Sequence, residues 1–199
     1  MSSPILTSHR CTGCHRAGSI GCRPSRNQRA LQWLLALLLT SASGFMAAEP
    51  LTLPARKAAY TYYFTKFIDW PTPHSQQLRL CVATARSDLL QAFRRVAAQP
   101  LGSQQVALMA LDPDQADQAA IPTCHVFYAG SDISPRWQPL LVRPQKGLLV
   151  VADDDAAITV GAIRFIARHD QLSFSIDRRR ARAAGLTLSA KLIALGEGL

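Results

Sequence analysis

A chain of 199 residues has room for one domain with a real hydrophobic core and little beyond its ends. Its 22 basic and 13 acidic residues give a net charge of +9. Five of the arginines (Arg10, Arg16, Arg23, Arg26 and Arg29) fall in the first 30 residues, where no acid occurs, so the remainder has 17 basic against 13 acidic residues and a charge of only +4. A charge of that size over the rest of the chain is ordinary and argues against nucleic-acid binding.

The first 48 residues read as an export signal. The basic segment 1–30 precedes the apolar run 31–39, Leu-Gln-Trp-Leu-Leu-Ala-Leu-Leu-Leu, and small residues follow to Ala48. A basic stretch, an apolar run of roughly 7–15 residues and a small-residue exit are the marks of a secretory signal. Cleavage is expected after Ala48 or Gly44, with the first domain residues at Glu49-Pro50. The competing reading is a retained anchor, but Thr40–Gly44 is weakly apolar for a span of about 20 residues. The basic region is also long for a signal, so translation starting downstream of Met1 stays open.

Three of the five cysteines precede the apolar run, two of them in Cys11-Thr-Gly-Cys14-His15. That pattern matches covalent haem attachment and, with His9, weakly suggests zinc. Residues ahead of an export signal stay on the cytoplasmic side, whereas haem attachment follows export, so neither metal nor cofactor is expected. Cys81 and Cys124 remain in the exported part. An oxidising compartment favours a disulfide between them; two buried free thiols are the alternative.

Along the domain, residues 54–67 predict a helix with Pro54 in its first turn and an apolar stripe of Ala59, Tyr63 and Phe67 flanked by Tyr60 and Phe64. Trp70-Pro71 ends it. Residues 78–84 predict a strand, 88–98 a helix capped by Ser87, and 105–111 a second strand. A turn follows at Asp112, then a strand over 124–129, and a helix over 133–141 broken by Pro135 and Pro139. Residues 147–152 form a continuous apolar run, as in a strand covered on both faces. Segments 161–168 and 171–176 flank His169-Asp170 as a β-hairpin. A short basic helix over 177–184 ends at Gly185, and a last helix over 188–195 is capped by Ser189. The alternation of strands and helices defines an α/β fold: a mostly parallel, Rossmann-like sheet flanked by helices, closed by a C-terminal hairpin and helix, in one domain over 49–199.

Candidate chemistry is sparse. Asp153-Asp154-Asp155 offers carboxylates for a hard cation, but it lacks the glycine and distal glutamate of a calcium loop, and a polar turn after a buried strand accounts for it. Arg178, Arg179, Arg180 and Arg182 are candidates for holding an anion or a partner's carboxylates, against the plainer reading of a solvated face. Tyr63, Phe67 and Trp70 are candidates for an aromatic partner-binding patch, against core packing on one helix stripe. No serine has a Gly-x-Ser-x-Gly context, His74, His125 and His169 are isolated, and no glycine-rich phosphate loop is present. The chain is therefore not expected to be an enzyme.

Several stretches together carry a resemblance. They are Lys57-Ala-Ala-Tyr60, Phe64-Thr-Lys-Phe-Ile-Asp-Trp70-Pro71, Leu80-Cys81-Val82, Cys124-His-Val-Phe-Tyr, Gly161-Ala-Ile-Arg-Phe165, Leu172–Asp177 and Ala183–Ile193. In order and spacing, over nearly all of residues 55–196, they resemble the YfiR-like family of periplasmic proteins. The resemblance implies a periplasmic α/β regulator that contacts the periplasmic sensor part of an inner-membrane diguanylate cyclase and represses it, lowering cyclic-di-GMP and biofilm formation. It also implies a Cys81–Cys124 bridge and a homodimer that meets the membrane only through its partner. The alternative is a periplasmic small-ligand-binding module with its pocket at the strand ends.

Overall fold

A computed structural model describes residues 51–71, 77–99, 105–169 and 171–198. The predicted export signal at 1–48, its cysteine motif and Asp170 lie outside these residues.

Helix α1 covers Leu53–Thr65, with Pro54 in its first turn and the Thr52 hydroxyl accepting from the Ala55 N–H. It stops two residues before the predicted end. The N–H groups of Lys66 and Phe67 turn back to the carbonyls of Tyr63 and Phe64, each at 3.0 Å. Ile68–Asp69 then forms a short strand, β1, missed in the sequence because strand patterns need about four residues to register. The buried face of α1 is also not the predicted one. Lys57, Ala58, Thr61, Tyr62, Phe64 and Thr65 face inward, while Tyr60 and Tyr63 are exposed. Aromatic residues crowd this helix, so spacing permits more than one phase, and the phase adopted turns the small Ala58 and Thr61 inward. The cost of burying Thr61 and Thr65 is removed by their own helix: their hydroxyls donate to the carbonyls of Lys57 (2.8 Å) and Tyr62 (2.6 Å).

Strand β2 (Gln77–Ala83), helix α2 (Ser87–Ala97) and strand β3 (Gln105–Leu111) follow as predicted. Ser87 is not the cap. Arg86 holds that position without a side-chain bond, and its N–H donates to the Thr84 hydroxyl instead. Strands β4 (Val126–Ala129) and β5 (Leu149–Ala152) are shorter than predicted. Between them the two prolines divide the predicted helix into a 3-10 turn, Pro135–Trp137, and one helical turn, α3 (Gln138–Leu141). Strands β6 (Ile163–Arg168) and β7 (Gln171–Ile176) form the expected hairpin, paired from Ile163↔Ile176 to Arg168↔Gln171. His169 takes the left-handed conformation (φ 54°) that tight hairpin turns require. Helix α4 (Arg178–Ala183) starts on an Asp177 cap whose carboxylate accepts from the Arg180 N–H at 2.9 Å. The predicted last helix begins later: Thr187–Leu188 is strand β8, and α5 (Ala190–Leu195) starts after the Ser189 cap. Strand β9 (Glu197–Gly198) closes the described chain.

Among the described residues the main sheet has seven strands in the order β3-β2-β4-β5-β6-β7-β9, parallel from β3 through β6, with β7 antiparallel to β6. Strands β1 and β8 pair separately and antiparallel. The buried strands alternate between two cores, as side-chain period demands. On one face Leu80, Val82, Val126, Tyr128, Leu149 and Val151 pack with residues of α1 and α2, such as Phe64 and Phe93. On the other, Cys81, Ala83, Phe127, Ala129, Val150 and Ala152 pack against Ile133, Trp137 and Leu141. The Trp137 indole, fully buried, donates to the Pro113 carbonyl at 3.0 Å.

Candidate functional site

The strand order reverses at β2: the chain passes through α2 to β3 on one side, then returns to β4 on the other. In open α/β sheets such a reversal leaves a crevice at the carboxyl ends of the strands, the usual ligand position. Here polar residues fill that edge. The Thr84 hydroxyl and the Ala85 N–H donate to the two carboxylate oxygens of Asp132 at 2.6 and 2.7 Å. Gly130 lies against the same pair, and a Cβ there would meet Asp132 Oδ1 at 2.6 Å and Thr84 Cβ at 2.8 Å.

One strand further on, Asp153 follows β5 and is wholly buried. Its carboxylate takes the Lys57 ammonium on Oδ1 and the Tyr128 hydroxyl on Oδ2 (3.0 Å). Lys57 also reaches Asp154 Oδ1 at 3.2 Å, and Arg164 from β6 donates to the Asp153 carbonyl at 3.1 Å. Burial pushes the Asp153 carboxyl up, against the opposing pull of the Lys57 hydrogen bond. The Tyr128 hydroxyl is pushed well up by burial and by the Asp153 charge. At Asp154 burial is outweighed by the Asp153 hydrogen bond and Lys57, so that carboxyl lies below its ordinary value. Burial lowers the Arg164 guanidinium.

This cluster joins α1, β4, β5 and β6 through one residue, Asp153, by its carboxylate and its carbonyl. Asp154 and Asp155 form the expected polar turn after the strand, whereas Asp153, read as part of that turn, is buried and ion-paired rather than solvated. Its sequence signal was a lysine on the sheet-facing side of an apolar helix, but the partner lies 96 residues away. Among the described residues no group of three or more His, Cys, Asp or Glu side chains is placed to hold a metal ion.

Cys81 on β2 and Cys124, two residues before β4, are joined in a disulfide with Cα atoms 5.8 Å apart. It sits in the second core, on the sheet face opposite α1 and α2.

The three aromatic candidates do not form one patch. Tyr63 is half exposed, with the Lys66 ammonium 5.3 Å from its ring centre, and lines a cavity of about 310 Å³ between α1 and α2 with Ala59, Tyr62, Arg95 and Val96. Phe67 and Trp70 pack against the main core, and the Lys191 ammonium lies 5.5 Å above the Phe67 ring. The arginines divide as well. Arg178 and Arg182, one helical turn apart, line a cavity of about 170 Å³ floored by Ala181, Leu186 and Leu188. Arg180 instead donates to the Leu141 and Val142 carbonyls, at 3.4 and 3.1 Å, tying α4 to α3. Arg179 is exposed.

An open sheet with helices on both faces, a disulfide from β2 to the segment entering β4, a switch-point edge filled by hydrogen bonds and a buried ion pair one strand further on define a disulfide-stapled α/β domain. The model of the YfiR/HmsC-like family matches residues 54–197, and the chain belongs to that family. Its members are periplasmic regulatory proteins, rather than enzymes, associated with the regulation of membrane diguanylate cyclases. No curated protein matches the chain. Among the described residues no helix is long and apolar enough to cross a membrane.

Proposed function

We propose that this chain is exported to the periplasm, with residues 1–48 as its signal, and there binds the sensor part of an inner-membrane diguanylate cyclase. Binding represses the cyclase and lowers cyclic-di-GMP and biofilm formation. The family match over 54–197 carries this reading, and a disulfide between the two cysteines left after export supports it. The chain acts as a homodimer and needs no cofactor.

For the cyclase contact, the best-placed candidates are Tyr63, exposed on α1, and the neighbouring guanidinium groups of Arg178 and Arg182. An aromatic anchor and arginines are the side chains that most often dominate binding energy. Phe67 and Trp70 pack against the core and Arg180 ties two helices together, so these three hold the domain together. The tagged protein, expressed with its signal, is expected to retain the cyclase from detergent-solubilised membranes. Tyr63→Ala, or Arg178→Glu with Arg182→Glu, is expected to reduce retention about tenfold, equivalent to roughly 1.4 kcal/mol. Absence of any diguanylate cyclase with the unaltered protein would sink the proposal.

A second reading, a small-ligand module, draws on the 310 Å³ cavity between α1 and α2, a volume typical of small-ligand pockets. It moves the pocket away from the strand ends, which Asp153 and Asp132 occupy with their partners. A small molecule released on denaturing the purified protein, and lost in Ala59→Trp, would support it.

A further inference from the structure

Strand β3 stands at one end of the main sheet and pairs with β2 over seven consecutive residues, from Gln77↔Gln105 to Ala83↔Leu111, without a bulge. Its other edge therefore presents backbone N–H and C=O groups to which no described strand is paired. Proteins blunt such edges with short strands, charges, prolines or bulges, because a bare edge is a template for another strand. The opposite end of the same sheet is a strand of two residues, β9. Gln105-Val-Ala-Leu-Met-Ala-Leu111 uses none of these devices: it is uncharged, uninterrupted and apolar after its first residue. No side chain in it is fully buried, and Met109 is 37% exposed.

We propose that this edge is the homodimer interface: β3 pairs antiparallel with β3 of a second copy and the two sheets continue as one. The occupant follows from the strand's own composition. About a two-fold axis through its middle, apolar residues oppose apolar residues. By sequence, Asp112 falls opposite Gln104 and not opposite another acid when the axis passes through Leu108. Like charges opposed across a strand pair destabilise it, and here there are none. Backbone hydrogen bonds supply affinity, as in other strand additions, and Met109 and Ala107 cover one face of the joint. This deepens the homodimer part of the function proposed above and is independent of which cyclase is bound.

The test is light scattering of the oxidised, exported protein across a concentration series, for the unaltered chain, Met109→Lys and Met109→Leu. A lysine near the axis places two ammonium groups close together across the joint, while its exposed position leaves the fold intact. Dimers for the unaltered protein and Met109→Leu, with Met109→Lys at least tenfold weaker at an unchanged melting temperature, are the expected result. A monomeric unaltered protein, at concentrations of tens of micromolar, would overturn the interface together with the homodimer. A Met109→Lys protein that dimerises as tightly as the unaltered one would overturn the interface alone. If Met109→Lys lowers the melting temperature, hydrogen exchange at the β3 amides of the unaltered protein decides: protection that grows with protein concentration supports the joint, and concentration-independent exchange overturns it.

Discussion

Replacing Lys57 by methionine is expected to destabilise the domain by about 3–5 kcal/mol, the cost of leaving one partner of a buried ion pair alone. Lys57 and Asp153 are both buried, and the lysine is the cation that faces the carboxylate within hydrogen-bonding reach. Without it, Asp153 keeps among the described residues two neutral donors to its carboxylate, the Tyr128 hydroxyl and the Asp154 N–H, each at 3.0 Å. The double change Lys57→Met with Asp153→Asn removes both charges and is expected to recover more than half of the loss. The pH dependence has a definite sign. Burial already raises the Asp153 carboxyl, and loss of Lys57 raises it further above its value in the unfolded chain. The folded variant then binds a proton that the unfolded chain has released, so its stability falls as pH rises between the two values. Urea unfolding at pH 5 and pH 8 checks this: the variant is to be relatively more stable at pH 5, by a wider margin than the unaltered protein. Equal stability of variant and parent at pH 8 would mean that the pair holds nothing together.

Cys81→Ser is expected to lower the melting temperature of the oxidised protein by roughly 10 °C. The bridge closes a loop with a sequence separation of 43, for which chain entropy suggests about 4 kcal/mol. For a domain of this size, each kcal/mol shifts the midpoint by about 2–4 °C. Both sulfurs lie in a close-packed core, so the unpaired thiol of Cys124 adds little in return. Reduction of the unaltered protein with excess dithiol is expected to bring its midpoint to that of the variant. A variant that melts with the parent under oxidising conditions would remove the bridge as a stabilising element.

The parts of the fold that were legible in the sequence are those whose signal is local. The continuous apolar run at 147–152 announces a strand covered on both faces, and Val150 and Val151 do face opposite cores. Pro135 and Pro139 broke the helix where they were expected to. The hairpin was readable because its pairing partners are neighbours in the chain. What was hidden depends on distance. The phase of α1 is chosen by the sheet beneath it, not by its own crowded aromatics, so Tyr63 turned outward while Phe67 and Trp70 joined the core. Strands β1 and β8 are two residues each and exist only because they find one another across the fold. Asp153 looked like part of a solvated turn because its lysine comes from the first helix. The arginine run could be read as one charged feature, but helical geometry places Arg178 and Arg182 at one cavity and sends Arg180 to the carbonyls of α3.

The most direct test of the proposed role measures cellular cyclic-di-GMP with the protein deleted, then restored with and without residues 1–48. A rise on deletion, reversed by the full chain and not by the form lacking those residues, is the expected result for an exported repressor of a membrane cyclase. An unchanged cyclic-di-GMP level on deletion, in cells in which the protein is expressed, or full reversal by the form that lacks residues 1–48, would contradict it.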